Sequence, residues 1–165
     1  MEKRTVDVAI IGTGTSGMGA YREAVKSTDS IALIESGKSG TTCARVGCMP
    51  SKLLIAAAEA AHNVEKAYKF GVNAKIMNID GRAVMERVKS ERDRFVGFVL
   101  ESVEGFNPDH RIIGHAKFID NTTLLVDNKI EIKAKTIIVA TGSSPAIPPL
   151  FQDVQDRLIV NDDVF

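Results

Sequence analysis

Apolar positions fall in short β-branched runs near the start of the chain and again beyond residue 110, with helix-spaced stripes between them. Val6 to Ile11 is one such run, cut off at Gly12; it is too short for a helix and predicts a buried strand. Gly17 to Lys26 places Met18, Tyr21 and Val25 at helical spacing and stops at the Ser27-Thr28-Asp29-Ser30 cluster. Ile31 to Ile34 is a second apolar strand. Strand, helix and strand within about thirty residues make a βαβ unit, with a right-handed crossover and two parallel strands.

The middle of the chain is helical in pattern. Lys52 to Lys69 is alanine-rich, with Leu54, Ala57, Ala58, Ala61 and Val64 recurring on one side. Gly81 to Glu104 carries Val84, Val88, Phe95, Val99 and Val103 as a stripe, with Arg87, Glu91, Arg94 and Glu101 off it. From Arg111 the period shifts, and RIIGHAKFI, TTLLVD, KIEIK and KTIIVA read as four strands joined by turns at Asp120-Asn121 and Asp127-Asn128. Pro145, Pro148 and Pro149 break regular structure, and RLIV near the end is strand-like again. The expected class is α/β, a parallel sheet with an added β-meander. An apolar run so close to Phe165 leads us to expect a piece of a longer chain.

Composition narrows the possibilities. A chain of 165 residues with 44% hydrophobic and 25% charged residues suits one cored domain and is too apolar for disorder. Lys plus Arg number 21 and Asp plus Glu number 21, so the net charge is zero and no block of either sign points to nucleic acid or a membrane surface. No secretory leader pattern opens the chain, and no window approaches the ~18 to 20 apolar residues of a membrane span. A cytoplasmic location is the expectation.

Gly12-Thr13-Gly14-Thr15-Ser16-Gly17 is a GxGxxG at the junction of the first strand and the first helix. Gly12 allows the sharp turn, Gly14 allows a pyrophosphate to approach the backbone, and Gly17 lets the helix lie close. The helix N-terminus adds unpaired N–H groups and a positive dipole end. Glu35 closes the second strand, 18 residues beyond Gly17, where a carboxylate reaches both ribose hydroxyls and disfavours a 2′-phosphate. The combination indicates FAD or NAD without choosing between them.

Both cysteines lie in Gly40 to Lys52, GTTCARVGCMPSK, with four residues between Cys43 and Cys48. For zinc they supply two ligands, without a second cysteine pair and with His62, His110 and His115 off finger spacing, so no metal site is expected. As inert core thiols they would be ordinary. As a redox pair they make chemical sense: residues five apart on an ideal helix are out of line, so a bridge needs a distorted first turn and would be labile. A helix N-terminus, with Lys52 nearby, would lower the thiol pKa, and Pro50 marks the onset of that helix.

These stretches, together with ATGSSP at 140 to 145 and NDDVF at 161 to 165, resemble the flavin-dependent pyridine nucleotide-disulfide oxidoreductases, with dihydrolipoamide dehydrogenase the best match among them. The resemblance implies a Rossmann-like FAD-binding domain over 1–150, with 151–165 leading toward an NAD-binding domain. It places FAD at Gly12, Gly14 and Gly17, with Glu35 on the ribose. Gly40, Thr41 and Thr42 would line the pyrophosphate path, Ala116 would touch the adenine side, and Thr141 and Gly142 the flavin side. Cys43 would be the interchange thiol and Cys48 the charge-transfer thiol of a catalytic disulfide, and Lys52 would stand near flavin N5. Electrons would pass from a dithiol or lipoyl-protein substrate through Cys43 and Cys48 to FAD and then NAD(H), in a protein that is a homodimer when full length. The isolated chain is expected to be inactive.

This chain has Gly40-Thr41-Thr42-Cys43 where the family usually has GGTC, so Thr41 replaces a second glycine, and it has Ala44-Arg45 where the family usually has a small or apolar residue and Asn. Ser51 argues against glutathione reductase, whose members carry lysine there. A soluble transhydrogenase or mercuric reductase-like relative is one alternative, and a non-catalytic FAD-binding module is another. His110 and His115 read as structural or surface residues.

Overall fold

In the computed structural model, which describes residues 1–165, the first apolar run is part of a longer strand, β1 (Glu2–Ile11). Its polar first half is held by pairing rather than burial, since Glu2 to Val6 run beside Ile130 to Ala134. The helix α1 (Thr15–Ala24) and strand β2 (Ile31–Glu35) complete the βαβ unit, and β1 and β2 pair in parallel from Val8↔Ile31 to Ile11↔Ile34. Next come α2 (Thr42–Arg45), α3 (Cys48–Lys66) and α4 (Gly81–Glu104), and then β3 (Arg111–Ile113), β4 (Ala116–Asp120), β5 (Thr123–Val126) and β6 (Ile130–Val139). The chain forms two compact units, one of residues 1–41 and 98–144 and the other of residues 42–97 and 145–165.

The first unit holds a six-stranded sheet in the order β3-β2-β1-β6-β5-β4. β3, β2, β1 and β6 are mutually parallel, while β4 and β5 add to β6 as an antiparallel meander. Alternation along β2 sends Ala32 and Ile34 to one face and Ile31 and Leu33 to the other. On the first face Ala32 and Ile34 cluster with Ala9, Ile112, Leu124, Val126 and Ile132, so the meander covers this side of the sheet. On the second, Ile31 and Leu33 cluster with Ile10 and Tyr21 of α1, joined by Phe106. The fold is thus the expected Rossmann-like parallel sheet with an added β-meander.

The Arg111 to Ile119 run, expected as one strand, is two. Gly114 has φ +154° and donates its N–H to the Glu35 carbonyl, and a Cβ there would stand 2.5 Å from Val126. The chain changes partners at that glycine, from parallel β2 to antiparallel β5. Conversely, the KIEIK and KTIIVA runs are one strand, β6, continuous because β1 runs beside it from Glu2↔Ile130 to Ile11↔Val139. The turn at Asp127-Asn128 is as expected: φ values of 48° and 55° put both residues in the left-handed region, and the hairpin closes with Val126↔Ile130 paired across it.

A buried histidine fastens the near end of this unit. Tyr21 Oη accepts from Asn107 N–H at 3.1 Å and is hydrogen-bonded to His110 Nδ1 at 2.9 Å, while His110 Nε2 lies 3.2 Å from Asp29 Oδ1 and 3.3 Å from Asn107 Nδ2. His110 is structural, as the sequence suggested, and it ties α1 to the turn before β3.

In the second unit α3 starts at Cys48, four residues before the expected start at Lys52. Pro50 does not prevent this, because a first-turn residue has no intrahelical acceptor for its missing N–H. Arg87 of α4 donates to the Leu53 carbonyl of α3 at 3.2 Å, and Val88 is fully buried. The tail forms 3-10 turns at Pro149–Arg157 and Asn161–Asp163. The strand-like run between them pairs with nothing, since three residues held between two turns are too few to start a ladder.

Candidate functional site

The glycine loop sits where β1 ends. Gly12 has φ +108°, and a Cβ on it would meet the Ala140 carbonyl oxygen at 2.3 Å and Thr141 N at 3.4 Å. Ala140 N–H in turn donates to the Ile11 carbonyl at 2.9 Å, so the ends of β1 and β6 are locked and Thr141 is brought to the loop. Gly17 is packed against the loop itself: a Cβ there would lie 1.9 Å from the Gly12 carbonyl oxygen. Gly14, the N-cap of α1, faces open space within 4 Å. The three glycines thus make a turn, an open backbone edge and a close helix approach, the arrangement that receives a pyrophosphate.

Glu35 is held from this loop. Thr13 N–H and Thr13 Oγ1–H both donate to Glu35 Oε2, at 2.8 and 2.7 Å, and Gly37 N–H donates to Oε1 at 2.9 Å. Burial alone would raise the carboxyl pKa, but bonds from the Thr13 hydroxyl and the N–H groups of Thr13, Gly37 and Ser36 outweigh it and hold it below the ordinary glutamate range. Glu35 is therefore a carboxylate fixed in place at the end of β2 beside the glycine loop. Sequence reasoning passed over Thr13, which is 3% exposed; its only signal was a hydroxyl residue at the second place of the glycine motif.

The other expected contacts are more scattered. Gly40 has φ +94° and lies against Val99, while Thr41 is buried beside it in sequence. Ala116 opens β4 opposite Val126 and packs on the core under the meander. Thr141 and Gly142 are exposed just past β6, Gly142 with φ +73°. Thr42 opens α2 in the second unit.

Cys43 lies in α2 and Cys48 is the first residue of α3, both as free thiols. Val46 N–H donates to the Thr42 carbonyl at 2.9 Å, and a Cβ on Gly47 would stand 3.3 Å from Cys43 Cα, so the chain folds back tightly between the two cysteines. The Cys43 thiol is raised above the usual thiol range by its hydrogen bond with Cys48, by burial and by repulsion from a Cys48 thiolate. Backbone N–H groups of Cys48 and Met49 at the start of α3 pull the other way and do not prevail. The lowered thiol pKa expected from the helix terminus and Lys52 is therefore not found at Cys43 while its partner is also reduced. Lys52 is exposed one turn along α3 from Cys48. No group of three or more His, Cys, Asp or Glu side chains is placed to hold a metal ion.

A family model described as pyridine nucleotide-disulphide oxidoreductase matches residues 6–163. The chain belongs to that family. Among curated relatives of this oxidoreductase chain, mercuric reductase of Shigella flexneri is 34% identical over 149 residues, covering 87% of this chain and 26% of its own length. Dihydrolipoyl dehydrogenase of Chlamydia trachomatis is 33% identical over 148 residues, covering 87% and 31%. Of solved structures, the HOCl-induced flavoprotein disulfide reductase RclA from Escherichia coli superposes with a TM-score of 0.62 at 25% identity, over 87% of this chain and 29% of that one. The chain thus spans about a third or less of the length of the relatives it matches. Members of this oxidoreductase family bind FAD, and the open Gly14 edge with the fixed Glu35 carboxylate fits the pyrophosphate and ribose of such a dinucleotide. No helix is long and apolar enough to cross a membrane.

Proposed function

We propose that this chain is the FAD-binding portion of a flavoprotein that oxidises dithiols through Cys43 and Cys48, in the manner of dihydrolipoamide dehydrogenase. The observation that supports the reading most directly is the pair itself: two thiols within hydrogen-bonding reach across the tight α2–α3 turn, in a chain whose family is that of disulfide oxidoreductases. In the oxidised protein a substrate thiolate attacks Cys43 Sγ, the Cys43–Cys48 bond breaks, and Cys48 leaves as a thiolate. The second substrate thiolate then attacks the substrate sulfur of the mixed disulfide, expelling Cys43. Two electrons have entered the protein, and the substrate leaves as its disulfide. Bound FAD supplies the two-electron acceptor that restores the cysteine disulfide, with NAD(H) as the further partner.

In this reading Gly12, Gly14, Gly17 and Glu35 hold the adenosine and pyrophosphate, with Gly40, Thr41, Thr42 and Ala116 along the same cofactor, and Lys52, Thr141 and Gly142 serve its flavin end. Residues 1–150 form the cofactor domain and 151–165 the connection onward, in a cytoplasmic homodimer acting on a lipoyl or other dithiol substrate. Mercuric reductase-like chemistry is the second reading, favoured by the 34% identity to the Shigella flexneri enzyme. The test is anaerobic addition of dihydrolipoamide to the FAD-loaded full-length protein. A long-wavelength thiolate-to-flavin band that Cys48→Ser abolishes supports the reading, and a band unchanged in Cys48→Ser refutes the assignment of Cys48. NADH-dependent loss of Hg(II) with no lipoamide turnover would replace the first reading by the second.

A further inference from the structure

Arg111 enters the sheet as the first residue of β3, in register beside Leu33 of β2. Its neighbour Ile112 is buried in the cluster under the meander, so strand alternation turns Arg111 to the opposite face, the one that Leu33 and Glu35 share. A cavity of about 300 Å³ opens on that face, walled among others by Thr13, Leu33, Glu35, Val103, Arg111 and Ile113. The Nε of Arg111 is buried with no hydrogen-bond partner. A guanidinium is always charged and every polar hydrogen it has is a donor, so a buried, unpaired Nε–H is a group whose partner is to be sought. Glu35 is not that partner, since Nε makes no hydrogen bond to any group of the chain.

The walls of this cavity offer an acceptor, a donor and apolar side chains at once. A free phosphate would meet the Glu35 carboxylate, which repels it. A nucleoside satisfies all three: ribose hydroxyls donate to Glu35, a flat base packs on Val103 and Ile113, and ring nitrogens accept from Arg111. The volume lies at the lower end for ligand pockets and suits one nucleoside rather than a whole dinucleotide. We propose that Arg111 is a nucleotide-positioning residue, its Nε–H donating to the adenosine of the dinucleotide whose ribose Glu35 holds. The proposal rests on the FAD reading above.

The test titrates the 165-residue chain and its Arg111→Met and Arg111→Lys variants with FAD and, separately, with ADP, which carries the adenosine end alone. Methionine keeps the stem and removes the orphaned donor. The expected result is an Arg111→Met chain whose Kd for both ligands rises about tenfold, while its ligand-free melting temperature is unchanged or higher. Arg111→Lys, which keeps the charge without the Nε–H, falls between the two. Affinities within twofold of the parent chain would overturn the role. So would a drop in the ligand-free melting temperature that accompanies the loss of affinity, because that is the mark of a packing residue. A parent chain that binds ADP but not FAD, with Arg111→Met losing ADP, overturns the flavin reading and upholds Arg111. Binding of neither ligand by the parent chain overturns both.

Discussion

Thr13 and Glu35 are joined twice, the Thr13 N–H and hydroxyl donating to the same carboxylate oxygen at 2.8 and 2.7 Å. This double bond to the glycine loop fixes the direction of the acid at the end of β2. Thr13→Val keeps the shape and the N–H but loses the hydroxyl, and is expected to cost about 1 kcal/mol of stability. It should also loosen FAD several-fold, because the carboxylate is no longer held in place. Urea unfolding and flavin retention check it, and retention equal to the parent's would show that the hydroxyl does not orient Glu35.

Glu35 also sets an acid-side dependence of stability. Burial would raise its carboxyl pKa, yet the hydrogen bonds from Thr13, Gly37 and Ser36 leave it lowered in the folded chain. A lowered folded-state pKa contributes stability above the unfolded value of about 4.3, and that stability is lost as pH falls through the folded pKa. The urea midpoint should therefore decline on acidification below about pH 4.3, and Glu35→Gln should show a shallower decline. Parallel pH profiles in the two proteins would contradict this. The same variant should retain less FAD at neutral pH, as should Glu35→Ala, because neither presents a carboxylate to the ribose.

Gly17→Ala tests the helix approach. The new methyl carbon would stand 1.9 Å from the Gly12 carbonyl oxygen, backbone against backbone, so α1 must move away from the loop. A loss of about 3 kcal/mol or more is expected, together with loss of flavin. Gly14→Ala meets nothing within 4 Å and should leave the ligand-free stability within about 1 kcal/mol. Paired chemical denaturation curves distinguish the two positions.

The thiol pair gives a prediction in reactivity. Cys43 is raised chiefly by its hydrogen bond with Cys48, so Cys48→Ala should bring the pH midpoint for iodoacetamide alkylation of Cys43 down toward that of an ordinary thiol. The remaining N–H groups at the start of α3 then act on Cys43 without the opposing partner. A midpoint that stays put or rises would mean that burial, not Cys48, governs the thiol.

What the sequence made legible was local. Val6 to Ile11, the GxGxxG, the α1 stripe and Glu35 are each written within a few residues, and α4 was bounded at Gly81 and Glu104 by its own stripe. The break at Gly114 was hidden because apolar residues continue on either side of it and only the change of partner strand requires a turn. β6 looked like two strands because Lys133 and Lys135 leave only the small Ala134 to carry its apolar alternation at the middle, while the continuity comes from β1, more than a hundred residues away. Thr13 was invisible for a related reason, because what matters about it is the carboxylate opposite, and Arg111 because no spacing records that its Nε is left without a partner.

The seam between Gly12 and Ala140 also dictates an order of events during synthesis. The glycine motif is complete once the ribosome has added residue 17, yet its turn leans on a carbonyl and an N–H that arrive with residue 140. A nascent chain that has emerged only through α4 carries the motif and its anchor on β2, where Gly12 N–H donates to the Ile34 carbonyl at 2.7 Å, but lacks the β6 backbone that packs against the turn. Chains arrested before and after residue 140 should differ sharply in protease resistance around Gly12, because closing so long a loop is the late step in building this fold.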